Sequence, residues 1–125
     1  MTDRSSDEGM KIRRDVLGDD YVDRAEMSKN AFTEDFQDLL TRYAWGEIWG
    51  RPGLDRRTRS CITVAMLVAL NREDELALHL RAALRNGVTR DEIKELLLQS
   101  AIYCGVPAAN SAFAIARDVL AEKVE

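Results

Sequence analysis

Apolar residues recur along this chain at intervals of three and four, and nowhere alternate with period two over a useful length. The pattern predicts an all-α fold of about six to seven helices. Met10–Leu17 reads as a short helix stopped by Gly18, and Asp19-Asp20-Tyr21 opens a second that reaches about Ser28. Thr33 is placed to cap a third, with Glu34 and Asp35 in its electropositive first turn. Phe36, Leu39, Leu40, Tyr43, Ala44 and Ile48 give that helix its expected apolar side, up to a stop at Gly50 and a turn at Arg51-Pro52-Gly53. Asp55 is the expected cap of a long helix reaching about Leu70. Its second half is apolar on nearly every side, as suits the centre of a fold or a subunit interface. Residues 73–86 form the next helix, closed by Gly87. Thr89 and Glu92 have capping-box spacing, with Val88 and Ile93 as a hydrophobic staple, and that helix extends to about Cys104. Gly105-Val106-Pro107 breaks the chain before a last helix ending near Lys123.

A length of 125 residues indicates one domain able to bury a sizeable core, with residues 1–9 as a polar, disordered tail and the domain spanning 10–125. The net charge of −4 is spread in mixed sign, without a basic block, which argues against a nucleic-acid partner. The longest apolar run, Cys61–Leu70, is too short to span a bilayer, and the first residues contain no apolar signal segment. A cytoplasmic protein is expected. Cys61 and Cys104, far apart and each in an apolar helical run, read as two reduced, buried thiols. No Cys/His spacing suggests a metal. Small and apolar residues on several helix sides predict self-association.

Three groups of residues have chemical potential. His79, the only histidine, falls at the border of the stripe formed by Leu76, Leu80, Ala83 and Leu84. An imidazole there suits proton transfer, and equally a structural bond; Glu75, one turn earlier, is placed to orient it or raise its pKa. Arg56, Arg57 and Arg59 follow the Asp55 cap, where cations oppose the helix dipole. They form either an anion site or ion pairs with nearby acids. Trp45, Glu47 and Trp49 lie together near a helix end, where Glu47 in apolar surroundings would be a candidate acid. Tyr103, just before a helix break, is a weaker candidate for the same pocket.

The strings Arg42–Trp49, Arg51–Ser60, Leu76–Gly87 and Tyr103–Asn110 closely resemble the 4-carboxymuconolactone decarboxylase family, small enzymes of bacterial protocatechuate breakdown. The resemblance covers the chain from about residue 10 onward. It implies the alkylhydroperoxidase D-like helical fold and a ring-like homohexamer. In the alkylhydroperoxidase D branch a CxxC pair precedes a histidine by four residues, and a glycine follows eight residues later. His79 and Gly87 keep that spacing, whereas Arg72 and Glu75 stand at the two cysteine positions and Ser60 at that of a relay glutamate. Dithiol redox chemistry is therefore not expected. The implied reaction is decarboxylation of a lactone dicarboxylate whose ring serves as the electron sink, without metal or other cofactor. The resemblance assigns His79 as proton donor to carbon with Glu47 second, Arg57 or Arg59 as carboxylate clamp, and Trp45 and Tyr103 to the substrate pocket. A relative acting on another lactone, or a non-catalytic binding protein, is the alternative.

Overall fold

The structure, a computed structural model, describes residues 4–122. It is all-α: seven α-helices and one π-helical stretch, with no strand among the described residues. None of its described helices is long and apolar enough to cross a membrane. The chain divides into two compact units, Met1–Arg56 and Arg57–Glu125.

The first unit holds α1 (Arg4–Leu17), α2 (Asp19–Ser28) and α3 (Glu34–Leu40), the last continued by a π-helix over Thr41–Trp49. Helix α1 starts well before Met10, so the segment expected to be a disordered tail is helical from Arg4 onward; residues 1–3 lie outside the described residues. The reason is Gly9, which is buried where α1 crosses the π-helix. A Cβ on Gly9 would lie 2.1 Å from the Thr41 carbonyl oxygen and 3.1 Å from the Gly46 nitrogen, so only glycine permits this approach. Arg13, 3% exposed, donates to Gln37 Oε1 (3.2 Å) and lies 3.9 Å from Glu26, which compensates its burial.

Two local expectations fail here. Thr33 makes no side-chain cap to α3. Asn30 organises the entry instead, its Oδ1 accepting from the N–H groups of Phe32 (2.9 Å) and Thr33 (3.1 Å). The expected apolar side is also largely exposed: Phe36, Leu39, Tyr43 and Ile48 face outward, while Thr41 and Trp45 are buried. A π-helix bonds i to i+5 and so presents a different set of side chains inward than the α-helical spacing does.

The second unit contains α4 (Arg56–Ala69, all but its first residue), α5 (Glu73–Arg85), α6 (Arg90–Cys104) and α7 (Val106–Leu120). Val64, Val68, Leu76, Leu80, Ala83, Ile93, Leu97, Ala112 and Ala116 make its core. The stripe predicted on α5 is correct. The expected connection to α6 is also present. Gly87 has φ +95°, Val88 N–H donates to Ala83 O (2.9 Å), and Gly87 N–H donates to Leu84 O (3.2 Å), as in a Schellman ending. Both bonds of the Thr89–Glu92 capping box form, at 2.9 and 3.1 Å, and Val88 and Ile93 are buried together. Helix α7 ends at Leu120, three residues before the expected Lys123, which lies outside the described residues. Helix α4 buries Ser60, Val64 and Val68 on one side and exposes Ile62 and Met66 on others.

Candidate functional site

Each unit carries part of the candidate set. In the first, Trp45 is buried by the π-helical register and packs on Trp49, one turn later, with ring centroids 5.2 Å apart and planes tilted by 34°. This is an aromatic pair of ordinary stabilising geometry. Glu47 is exposed. The apolar surroundings expected for its carboxyl are not present in this unit, because the turn that buries Trp45 directs residue 47 outward.

In the second unit, α5 carries His79 half-buried between the core residues Leu76 and Leu80, with Nδ1 inside. Burial pushes the imidazole below its ordinary pKa; the Glu75 carboxylate opposes that shift without cancelling it. Glu75 was expected to raise the pKa, and its effect has that sign, yet desolvation wins. Glu75 is itself held by Arg72, 2.8 Å away, and this exposed pair keeps the Glu75 carboxyl below its usual pKa range. The two residues at the dithiol positions are thus joined by an ion pair.

The arginines at the start of α4 differ in environment. Arg56 lies 3.4 Å from Asp15 within the first unit. Arg57 is ion-paired with Glu92, the same carboxylate that closes the α6 capping box. The alternative of pairing with a nearby acid therefore holds for both. Arg59 is half-buried, with its Nε inside.

Tyr103 is 83% exposed and lines a groove of about 440 Å³ together with Cys61, Ile62, Leu96 and Cys104. Both cysteines are free and half-buried rather than fully buried, and they line this groove together despite their separation in sequence. Among the described residues no three of His, Cys, Asp and Glu gather as a metal-ligand set. Sequence reasoning missed a partly buried polar contact: Asn86 Nδ2 donates to Ser60 Oγ at 3.1 Å. The signal available was Asn86 two turns after His79 on the same helix side.

The low pKa of His79 makes a testable contribution to stability. The unfolded chain binds this proton more readily than the folded one. The contribution is therefore complete above about pH 6.5, the unfolded value, and is lost as pH falls from there through the folded value. We expect the urea midpoint to fall between pH 7.5 and 5.5, and the fall to shrink in His79→Gln. An equal fall in both proteins would assign the effect to other groups.

Comparison with known proteins gives a consistent result. The model of the carboxymuconolactone decarboxylase family matches residues 34–118. A 4-carboxymuconolactone decarboxylase of Acinetobacter baylyi is 52% identical over 112 residues, covering 90% of this chain and 84% of the relative. The nitrosuccinic acid decarboxylase npaB of Metarhizium robertsii is 43% identical over 122 residues, covering 98% and 85%. An uncharacterised 15.0 kDa protein of Paracoccus denitrificans is 35% identical over 90 residues, covering 70% and 66%.

Proposed function

The chain belongs to the carboxymuconolactone decarboxylase family, and from that premise we propose that it is a cofactor-independent carboxy-lyase converting 4-carboxymuconolactone to the 3-oxoadipate enol-lactone in protocatechuate breakdown. The observation that carries this reading is 52% identity to a relative of that name over most of both chains. The residues are consistent with it: the single histidine stands half-buried on α5, and Arg72 and Glu75, where the resemblance puts a dithiol in the redox branch, form an ion pair.

The reaction breaks the bond between the ring carbon and its carboxylate. The electron pair moves through the ring double bond into the lactone carbonyl, CO2 leaves, and the resulting dienolate takes one proton on carbon. We assign that proton to His79, which is mostly neutral in the free protein and gains a proton more readily beside a doubly anionic substrate. Glu47 is the second candidate acid, and Trp45 an apolar wall that disfavours the charged carboxylate. Arg57 or Arg59 is assigned to the side-arm carboxylate; Arg57 also pairs with Glu92. Tyr103, on the cysteine-lined groove, is assigned a smaller part in substrate binding.

A charge-assisted hydrogen bond contributes about 1.5–3 kcal/mol. Alanine at the arginine that forms the clamp is therefore expected to raise KM by about 10–100-fold, and alanine at the other to change it by no more than about threefold, so Arg57→Ala and Arg59→Ala measured side by side identify the clamp. An unchanged KM in both would remove the two arginines from substrate binding. The exposed apolar side chains of α4 and α6, with Tyr103 among them, support self-association, in a hexamer on the family pattern. Light scattering of the purified protein checks this. The cytoplasm is the expected location.

The direct test is CO2 release from 4-carboxymuconolactone, with nitrosuccinate as the competing substrate because of the 43% identical relative. Turnover of the lactone at an enzyme-like rate supports the proposal. Turnover of nitrosuccinate alone would move the chain to the second chemistry, and no release from either would favour a binding protein.

A further inference from the structure

Around the start of α6, α4 is tied to both of its successors in the second unit. Ser60, fully buried on α4, accepts from Asn86 Nδ2 at 3.1 Å. Arg57, three residues earlier on α4, pairs with Glu92 of α6. Asn86 is the C-cap of α5, and its backbone N–H is fixed by the carbonyls of Ala82 (2.9 Å) and Ala83 (3.1 Å). Its side chain therefore leaves a backbone that cannot shift independently of the helix.

The remaining buried surfaces of α4 and α5 are aliphatic: Val64 and Val68 on one, Leu76 and Leu80 on the other. Aliphatic surfaces drive packing but specify register weakly, whereas a buried directional hydrogen bond specifies it strongly. His79 precedes Asn86 by seven residues, two helical turns, and so lies on the same side of α5. Any slide or rotation of α5 released at Asn86 moves the imidazole by the same amount. A displacement of about 1 Å in a catalytic group can cost on the order of 100-fold in rate.

We propose that Ser60 and Asn86 are positioning residues for the reaction: their partly buried hydrogen bond sets the height of α5 against α4, and so where the His79 imidazole stands relative to the arginine-bearing start of α4. This inference rests on the decarboxylase reading for its kinetic consequence. It gives a purpose to a serine at the position where a redox relative has a relay glutamate. The hydroxyl there relays no proton to a dithiol and instead holds the helix that carries the acid.

The test uses the full-length protein with Ser60→Ala, Asn86→Ala and the double substitution. In each, kcat should fall by about tenfold or more while KM stays within about threefold, and the double variant should be no slower than the worse single one. The second readout needs no substrate. His79 is the only histidine, so its imidazole resonance is unambiguous in an NMR titration. Its pKa should move up toward the ordinary value as its packing loosens. If a single substitution strands a buried partner and unfolds the chain, the double variant, which removes both partners, carries the test. Folded variants with wild-type kcat and an unmoved His79 titration would overturn the inference. A wild-type protein that releases no CO2 would instead remove the decarboxylase reading, and the titration would still decide whether the pair positions His79.

Discussion

Replacing His79 by glutamine is expected to lower kcat by about 10²–10⁴-fold, the usual contribution of a positioned proton donor, and to leave KM within a few-fold. Glutamine retains a polar end of similar reach but cannot deliver a proton to carbon. The wild-type pH profile should carry the same signature. Burial holds the free imidazole below its ordinary pKa, so the limb of kcat/KM lies below about pH 6.5 and activity rises as pH falls toward it. A bound dianion favours the imidazolium, so the limb of kcat should lie at higher pH than that of kcat/KM. Glu47→Gln provides the contrast. Its carboxyl is exposed, and its loss should cost no more than a few-fold. If His79→Gln retains kcat within tenfold while Glu47→Gln does not, the acid is Glu47.

What could be read in advance follows the range of the interactions involved. The α5 stripe, the Gly87 ending and the Thr89–Glu92 box depend on residues within one or two turns, and all three are present as expected. The candidate residues divide in the same way. His79 on α5 was legible from its place beside Leu76 and Leu80. Its depressed pKa was not, because that depends on how deeply the ring is buried by the surrounding helices. The neutralisation of Arg57 was allowed by composition but fixed only by Glu92, 35 positions away in sequence and adjacent in space. Cys61 and Cys104 became neighbours on one groove for the same reason. The π-helix was the least legible element. Its sequence, Thr41–Trp49, has ordinary α-helical spacing, and no local residue in it demands an i to i+5 ladder. Its environment is set by contact with α1, which sequence reasoning had placed partly in a tail.

That contact makes the strongest stability prediction. Glycine in a helix interior is ordinarily about 1 kcal/mol worse than alanine, so Gly9→Ala would stabilise a helix exposed to solvent. Here the added methyl would lie 2.1 Å from the Thr41 carbonyl oxygen and 3.0 Å from its carbon. Both are backbone atoms of a helix and cannot rotate aside as a side chain can. Thr41 is also restrained: its Oγ1 donates to Gln37 O at 2.8 Å and lies 3.5 Å from the buried Arg13 guanidinium. Relief requires α1 and the π-helix to separate, which opens Trp45 and Val16, both buried, to looser packing. Overpacking of this kind costs about 1–3 kcal/mol, and more where backbone must move. We therefore expect Gly9→Ala to destabilise the protein by about 2 kcal/mol or more despite its better helix propensity, lowering Tm by roughly 5–10 °C. Gly53→Ala is the control, since nothing lies within 4 Å of its added Cβ, and it should stay within about 0.5 kcal/mol of wild type. A Gly9→Ala protein as stable as wild type would mean that residues 4–9 do not pack on the π-helix in solution, and that the tail reading of the sequence was right.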